Sequence, residues 1–302
     1  MKKDLLKLLD FSKQEIIDLL DLADQLKYEK KHQIDHKYLK GKTLGMIFQK
    51  SSTRTRVSFE AGMYQLGGHA LFLSGNDLQI GRGEPIEDTA RVLSRYLDGI
   101  MIRTFKQSDI ETIAQMADIP VINGLSDDWH PCQVLADLMT IRESKGRLDG
   151  IKMAYLGDGN NMANSLIVGG LKTGMTVSIA TPKDYQPSSD ARAFAKDFNN
   201  FTLTDSIKEA VADADVLVTD VWTSMGQEQE SKKRMQDFAG YCIDDALLKE
   251  AKSDAIVLHC LPAHRGEEIT AEVFDKHSAT IFEEAENRLH AQKAVMVKLM
   301  SK

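Results

Sequence analysis

The chain has 302 residues, more than the roughly 100–200 of a typical domain, and this length favours two domains. Its 38 Lys and Arg against 45 Asp and Glu give a net charge of −7, which argues against a nucleic-acid partner. The sequence lacks the ~18-residue apolar run of a membrane span and the apolar segment of a secretion signal. Three cysteines suit a reducing compartment, so we expect a cytoplasmic protein without nucleic-acid or membrane partners.

Helices and short apolar strands alternate along the chain. Ser12 and Glu15 have the spacing of a capping box and mark the start of the first helix. The alternation that follows is typical of parallel sheets built from strand–helix–strand units. The predicted strands are 43–48, 70–73, 99–103, 120–124, 152–157, 176–181, 216–220 and 255–260, and the clearest later helices are 85–96, 131–143, 162–172 and 284–300.

A polar stretch with two glycines, residues 143–151, lies between a predicted helix and a predicted strand and marks a domain boundary. The sequence therefore predicts an α/β protein with two domains of similar size, each a mainly parallel sheet flanked by helices. Ligands of such sheets bind beyond the carboxyl ends of the strands. The polar residues that follow each strand are accordingly the candidates for function.

The run Ser52-Thr53-Arg54-Thr55-Arg56 follows the first strand and opens a helical pattern. A helix start offers backbone N–H groups to anions, hydroxyls add donors, and arginines bind phosphate oxygens in pairs. Each residue taken alone is better explained by a capped helix with solvated arginines. The whole run directly after a buried strand favours a phosphate site.

Two further strand ends carry polar groups. Arg103 ends a buried strand, where an arginine is equally expected to form an ion pair or to bind an anion. His130 and Gln133 lie three residues apart at a helix start that Pro131 favours, so both can face one point. That pair can polarise a carbonyl oxygen and hold an amide, although a lone histidine there is more often a cap or a packed side chain.

The segment 157–162, Gly-Asp-Gly-Asn-Asn-Met, follows a strand and resembles the start of a dinucleotide-binding fingerprint. Met162 stands where that fingerprint needs a third small residue, and the next strand ends without an acidic residue for a ribose. A nicotinamide-dependent oxidoreductase is therefore a weak alternative. Asn160 and Asn161 indicate recognition of a polar ligand.

The last two strand ends combine acidic, histidine and cysteine side chains. Asp220 is able to bind an amine or to cap a helix. His259, Cys260 and His264 include metal-ligand types, but Pro262 breaks the helical spacing and no fourth ligand is evident, which disfavours zinc. Cys260 is either a nucleophile or a buried, packed cysteine.

Four motifs together resemble the aspartate/ornithine carbamoyltransferase family over essentially the whole chain. The first two are shared across that family and the last two resemble its ornithine branch. Gln49 and Cys132 depart from the family pattern, where Glu and Thr are common, and leave this expectation intact. The motifs are Ser52-Thr53-Arg54-Thr55-Arg56, His130-Pro131-x-Gln133, Asp220-Val221-Trp222-x-Ser224-Met225-Gly226 and His259-Cys260-Leu261-Pro262.

The resemblance implies transfer of the carbamoyl group of carbamoyl phosphate to the δ-amine of L-ornithine, giving L-citrulline and phosphate, with no cofactor and no metal. It implies that residues 1–146, joined by a returning C-terminal helix 284–302, bind carbamoyl phosphate, and that 147–283 bind ornithine. A homo-oligomer, a trimer, is expected. Another carbamoyl acceptor, a non-catalytic relative, the direction within arginine metabolism and the group that takes the amine proton are left open.

The resemblance also implies site residues. Catalytic roles are expected for Arg103, His130, Asp220 and Cys260. Apart from the resemblance, the glycine and charged residues of 223–232 indicate a mobile lid. Gln79 is expected to enter a neighbouring subunit's site. Positive charge is expected to gather from Arg54, Arg56, Arg103 and Arg288. The residues expected to bind carbamoyl phosphate are Ser52, Thr53, Arg54, Thr55, Gln79, Arg103, His130, Pro131, Cys132, Gln133, Cys260, Leu261 and Arg288; those expected to bind ornithine are Asn161, Asp220, Ser224 and Met225.

Overall fold

The structure is a computed structural model that describes residues 2–79, 83–224 and 228–301. The chain divides into two compact units. Unit 1 comprises the residues up to Ala136 together with those from Asn287 onward, and unit 2 comprises Asp137–Glu286. The division falls inside one helix near the middle of the chain and inside the long C-terminal helix.

Unit 1 contains a four-stranded parallel sheet in the order β2-β1-β3-β4. Helices connect consecutive strands, as parallel neighbours require. Its strands are β1 (Thr43–Phe48), β2 (His69–Ser74), β3 (Gly99–Arg103) and β4 (Val121–Leu125), and its helices are α1 (Lys13–Lys31), α2 (Thr53–Gln65), α3 (Ile86–Leu93), α4 (Gln107–Met116) and the start of α5 (Pro131–Lys145).

Unit 2 contains a five-stranded parallel sheet in the order β7-β6-β5-β8-β9. The C-terminal helix α11 (Ala271–Met300) begins in this unit and ends in unit 1. The other strands and helices are β5 (Lys152–Leu156), α6 (Asn161–Thr173), β6 (Thr176–Ala180), α7 (Ser189–Ala195), β7 (Phe201–Thr204), α8 (Ile207–Val211), β8 (Val216–Thr219), α9 (Ser231–Asp237), α10 (Asp245–Leu248) and β9 (Ile256–His259).

The inner strands β3 and β8 are buried along their whole length, and this burial explains their largely apolar sequences. In unit 1 Ile100, Ile102 and Val121 pack in the core. In unit 2 Leu156, Leu217 and other apolar residues form the core with Phe238, Ile243 and Val257. The predicted fold class, two parallel-sheet α/β domains with a returning C-terminal helix, is confirmed.

Sequence and structure differ at several element boundaries. β7 was not predicted, because it is a four-residue, half-buried strand at a sheet edge and has no continuous apolar run. α11 begins at Ala271, well before the predicted residue 284. β8 and β9 end one residue earlier than predicted, so that Asp220 and Cys260 lie directly beyond the strands. Within the described ranges, no helix is both long enough and apolar enough to cross a membrane.

Each sheet reverses its strand order at one place. In unit 1 the chain passes from β1 outward to β2 and then returns to β3 on the other side of β1. In unit 2 the corresponding reversal lies between β5 and β8. Loops diverge at such a switch point and leave a crevice for a ligand. The segments after β1, β3, β5 and β8 carry candidate residues, and those after β4 and β9 carry further ones.

Candidate functional site

In unit 1 the segment after β1 turns directly into α2. Ser52 is the N-cap in extended conformation, and its hydroxyl accepts a hydrogen bond of 3.2 Å from the Thr55 amide. The same hydroxyl donates to Thr55 Oγ1 at 3.1 Å. The first turn of α2 is thereby fixed, with its amides and the positive end of the helix dipole at the switch point.

Arg288 of α11 joins this helix start to α5. Its Nη1 donates to Gln133 Oε1 at 2.6 Å and its Nη2 to Thr55 Oγ1 at 3.3 Å. All three side chains are buried. When the Gln292 amide is oriented to satisfy both of its ends, its oxygen accepts from Arg288 Nε at 3.1 Å. The structure therefore brings together Thr55, Gln133 and Arg288, three predicted site residues from distant parts of the sequence.

His130 lies in the same group. Burial lowers the pKa of its imidazole well below the usual value, and the charges of Arg288, Arg103 and Arg54 lower it further. The ring is therefore neutral near pH 7 and carries one N–H donor. A neutral imidazole among three guanidinium groups suits a ligand with a phosphate and a polar carbonyl.

Arg103, 6% exposed at the end of β3, is held close to the loop after β1. Its carbonyl accepts hydrogen bonds from the Gln49 and Lys50 amides, at 2.9 and 3.4 Å. Lys50 is buried, forms an ion pair with Asp127 and lies 4.4 Å from the centre of the Phe105 ring. The sequence pattern did not predict a role for this lysine or its partner, although Lys50 directly precedes the run that begins at Ser52.

Several other residues predicted to bind carbamoyl phosphate are not part of the buried group of Thr55, His130, Gln133 and Arg288. Pro131 is the first residue of α5, and the thiol of Cys132 donates to the Asn123 carbonyl at 3.4 Å. Burial raises the pKa of Cys132 to about 12, so this side chain is a neutral core group. Thr53 is exposed, and Gln79 is exposed on the loop after β2.

The expectation for Arg56 needs correction. Its guanidinium lies 3.7 Å from the centre of the Phe72 ring, and its Nε is 3.1 Å from Glu60 Oε1. The side chain is about half exposed, 47%. Helical geometry explains this placement, because Arg54 and Arg56 are two residues apart and cannot share a face.

In unit 2 the carboxylate of Asp220 is the centre of the polar group. Its Oδ1 accepts from the Val221 amide at 2.8 Å and from the Cys260 thiol at 3.0 Å. Its Oδ2 accepts from Asn160 Nδ2 at 3.0 Å. The Asn160 oxygen caps α6 by accepting from the Met162 amide at 2.9 Å. The segments after β5, β8 and β9 therefore meet at one carboxylate.

Cys260 is a protonated thiol in this setting. Burial raises its pKa well above the ordinary value, and the negative charge of Asp220 raises it further. The thiolate is the nucleophilic form of cysteine, so these surroundings do not favour the nucleophile that the sequence left open. The thiol acts instead as a donor that orients Asp220.

The remaining residues of the predicted ornithine group lie around the same loops. Asn161 begins α6, and Ser224 and Leu261 are half-buried. Met225 lies outside the described residues, as do residues 226 and 227 of the segment 223–232 that was predicted to be a lid.

Arg234 was not predicted from the sequence as a functional or structural residue. Its Nη1 donates to Asp158 Oδ2 at 2.7 Å and to the Trp222 carbonyl at 2.9 Å, and its side chain is only 6% exposed. It thus fastens the turn after β5 to the segment after β8. The only sequence signal was an arginine within a charged helix, which is usually solvated.

The structure also explains the glycine pattern that suggested a dinucleotide. The Gly159 amide donates to the Tyr185 carbonyl at 2.9 Å, and a Cβ at Gly159 would lie 2.3 Å from the Gln186 carbonyl carbon. Gly159 is therefore required by packing within the chain. This removes much of the support for the oxidoreductase alternative.

Two family models match this chain. Residues 3–143 match the carbamoyl-P binding domain, and residues 149–299 the Asp/Orn binding domain, of aspartate/ornithine carbamoyltransferase. The chain belongs to the aspartate/ornithine carbamoyltransferase family. The resemblance inferred from the four motifs is thereby confirmed.

Similar proteins in this family cover nearly the full length of the chain. An ornithine carbamoyltransferase of Oceanobacillus iheyensis is 58% identical over 99% of this chain and 94% of its own length. One of Bacillus subtilis is 56% identical with the same coverage. The solved structure of ornithine carbamoyltransferase from Pyrococcus furiosus matches with a TM-score of 0.94 at 51% identity, covering 99% of this chain and 97% of that one.

Proposed function

We propose that this protein is an ornithine carbamoyltransferase, which transfers the carbamoyl group of carbamoyl phosphate to the δ-amine of L-ornithine and releases L-citrulline and phosphate. The observation that carries the proposal is the neutral, buried His130 under the charges of Arg54, Arg103 and Arg288. Such a group can bind a phosphate and polarise an attached carbonyl, and it occurs in a chain of the aspartate/ornithine carbamoyltransferase family.

We assign carbamoyl phosphate to unit 1. The amides and hydroxyls at the start of α2 and the nearby guanidinium groups would hold the phosphate, while His130 and Gln133 would hold the carbamoyl group. Gln79 would act from a neighbouring subunit, and Cys260 and Leu261 would contact the carbamoyl nitrogen. The proposed set is Ser52, Thr53, Arg54, Thr55, Gln79, Arg103, His130, Pro131, Cys132, Gln133, Cys260, Leu261 and Arg288, with the backbone rather than the thiol serving at Cys132.

We assign ornithine to unit 2, with Asn161, Asp220, Ser224 and Met225 as its binding residues. The carboxylate of Asp220, oriented by Cys260 and Asn160, supports the acceptor assignment because it can receive an amine. The δ-amine resembles that of lysine, with a pKa of about 10.4, and must be neutral to attack. A carboxylate alone favours the ammonium form, so partial desolvation is expected to contribute.

The reaction forms a C–N bond between the amine and the carbonyl carbon and breaks the C–O bond to phosphate. The amine loses one proton, which the departing phosphate can accept. Phosphate is a good leaving group, so the protein's task is to position two substrates, which can contribute ~7–11 kcal/mol. Arg103, His130 and Thr55 would stabilise the developing oxyanion, at ~2.7–4 kcal/mol for each well-placed donor.

The test of the donor site is Arg54→Gly. We expect citrulline formation to fall by about 10²–10³-fold, because one guanidinium near the phosphate and carbonyl is lost. Arg56→Gly is the matched control: it makes the same change two residues along α2, where the guanidinium lies against Phe72 and Glu60. Activity of Arg54→Gly like that of the wild type, or an equal loss in both variants, would contradict the donor-site assignment.

The acceptor is tested by a panel of amines with a citrulline colour assay. L-Ornithine is expected to be the preferred acceptor, and aspartate and putrescine are expected to give little carbamoylated product. A preference for another amine would keep the carbamoyltransferase assignment and overturn the ornithine assignment.

We also propose a homotrimeric, cytoplasmic enzyme of arginine metabolism. The exposed apolar side chains of Leu71 and Phe72 on the edge strand β2 support an association between copies of the chain. For the domains we propose that 1–146 with 284–302 bind carbamoyl phosphate and that 147–283 bind ornithine. Size-exclusion chromatography with light scattering is expected to give a molar mass three times the 33.7 kDa of one chain.

A further inference from the structure

A buried pair, His259 and Glu268, lies next to Cys260. His259 Nε2 lies 2.9 Å from Glu268 Oε1, and both side chains are fully buried. The same carboxylate oxygen accepts the His264 amide at 2.6 Å. A carboxylate in these contacts is an acceptor, so the hydrogen of the imidazole lies on Nε2.

The second ring nitrogen of His259, Nδ1, binds a different partner. His259 Nδ1 accepts a hydrogen bond of 2.9 Å from the Leu261 amide, which requires that Nδ1 carry no hydrogen. Both contacts therefore select the same tautomer. The ring links the Glu268 carboxylate on one side to the backbone just beyond Cys260 on the other.

That backbone adopts a conformation that needs support. Leu261 has φ of +58°, in the left-handed region, which is unfavourable for a residue with a side chain. The bond from the Leu261 amide to the imidazole offsets part of this cost. On the other side of Cys260, the His259 amide donates to Glu284 Oε2 at 2.8 Å. The chain is thus fixed both before and after Cys260.

We propose that His259 is a positioning residue for carbamoyl transfer and that Glu268 sets the tautomer it needs. Neither side chain belongs to the proposed substrate-binding groups. Their effect passes through the backbone of Cys260 and Leu261, and through the Cys260 thiol to Asp220, 3.0 Å away. This role rests on the proposed function, because Cys260, Leu261 and Asp220 are its assigned substrate contacts.

The test is Glu268→Gln. A glutamine amide can donate to Nε2 and so favour the opposite tautomer, whose Nδ1–H would face the Leu261 amide donor to donor. We expect kcat/KM for ornithine to fall by about 10–100-fold, the usual cost of losing a partner that orients a functional group. The matched control is Glu267→Gln, the neighbouring half-buried glutamate that lies 3.5 Å from His264 Nδ1, and it is expected to change kcat/KM by less than about twofold.

Two further measurements separate positioning from folding. Nitrogen NMR of the histidine-labelled protein is expected to show His259 protonated at Nε2 in the wild type and altered in Glu268→Gln. His259→Asn, whose side-chain oxygen can still accept the Leu261 amide, is expected to retain more activity than His259→Ala at equal folded fraction. KM for carbamoyl phosphate is expected to change less than that for ornithine, since its proposed phosphate contacts lie in unit 1.

An Nδ1–H tautomer in the wild type would overturn the proposal, as would Glu268→Gln with wild-type kcat/KM. A loss of activity that follows only the unfolded fraction would also overturn it, because the pair would then serve the fold alone. Absence of carbamoyl transfer in the wild-type protein would overturn the proposed function and this role with it, whereas the NMR signal would still report the tautomer.

Discussion

At the residue scale, the Asp220–Cys260 contact defines what the cysteine can do. The thiol is protonated and donates to the carboxylate at 3.0 Å, in surroundings that raise its pKa well above the ordinary value. A donor in this position orients the Asp220 carboxylate, and a hydroxyl can replace it. A covalent nucleophile in the same position could not be replaced by alanine without complete loss of activity.

We therefore predict that Cys260→Ser retains citrulline formation within about tenfold of the wild type, and that Cys260→Ala loses more but stays measurable. The loss in Cys260→Ala is expected to fall mainly on KM for ornithine, because the carboxylate is less well oriented. Steady-state kinetics at saturating carbamoyl phosphate measures both parameters. Complete inactivity of both variants would favour a covalent role for the thiol.

Lys293 shows how far a single buried charge can affect stability. Its side chain is fully buried on α11, and its Nζ donates to His36 Nε2 at 2.8 Å and Gln65 Oε1 at 3.1 Å. Burial lowers its pKa from 10.5 to about 8, and the charge of Lys30 lowers it further. The charged ammonium thus costs the fold about 3 kcal/mol at neutral pH, by 1.36 kcal/mol per pKa unit.

The sign of the pH dependence follows from this shift. Between pH 8 and 10.5 the unfolded chain binds more protons at Lys293 than the folded chain, so stability rises with pH through that window and the cost is fully present below it. We predict that Lys293→Met stabilises the protein by about 1–3 kcal/mol at pH 7, less than the full cost because two hydrogen bonds are lost. Urea unfolding at pH 7 and pH 10 measures this, and a gain that does not shrink at pH 10 would contradict it.

The residues of unit 1 show which site contacts can be predicted from a sequence pattern and which cannot. The Ser52–Thr55 run was recognisable because a helix start, hydroxyls and an arginine are neighbours in the chain. The place of Arg288 beside Thr55 followed only from the family resemblance, because 233 positions separate them and the local pattern says nothing about that distance. Arg56 was misplaced for a related reason, since the motif names residues without saying which helix face each occupies.

At the element scale, the turn after β5 and the helix α9 are joined by Arg234. Burial raises the pKa of Asp158, and the Arg234 guanidinium, 2.7 Å away, opposes that effect. Loss of one partner of a buried pair leaves the other charge uncompensated, which usually costs about 3–5 kcal/mol. The same loss frees the segment that leads to Ser224.

We predict that Arg234→Met lowers the free energy of unfolding by about 3 kcal/mol and raises KM for ornithine with little change in KM for carbamoyl phosphate. The neighbouring Lys233→Met is the control, because that lysine is 67% exposed and pairs with Asp237 at the surface. Adding Asp158→Asn to Arg234→Met should recover part of the stability. Equal effects of Arg234→Met and Lys233→Met on stability and on KM would contradict this, because the loss would then come from the positive charge and not from the contacts with Asp158 and Trp222.

Element boundaries were predictable where local signals were strong. The capping box at Ser12 is present in α1, since the Ser12 hydroxyl accepts from the Glu15 amide and the Glu15 carboxylate accepts from the Ser12 amide. The buried strands were recognisable from continuous apolar runs. β7 was not, because a half-exposed edge strand carries a weaker pattern. The early start of α11 was also missed, although Val273 and Phe274 in its first turn are buried.

At the scale of the whole molecule, the net charge of −7 and a phosphate ligand are compatible because the charges that matter are local. In unit 1 the dipole end of α2 lies beside Arg288, and the charges of Arg54 and Arg103 act on the same buried histidine. Net charge therefore excludes a broad polyanion partner and says little about one small dianion. A phosphate that binds this group in the folded state alone must also stabilise the fold.

We predict that inorganic phosphate by itself raises the unfolding temperature. At a concentration 100 times its dissociation constant it adds about 2.7 kcal/mol, because only the folded chain offers the site. For a unit of ~150 residues this corresponds to a rise of roughly 5–10 °C. Calorimetry with sodium chloride at equal ionic strength provides the control for general salt effects. Arg54→Gly is expected to lose most of the rise and Arg56→Gly to keep it; an equal rise in both would mean that phosphate acts away from the start of α2.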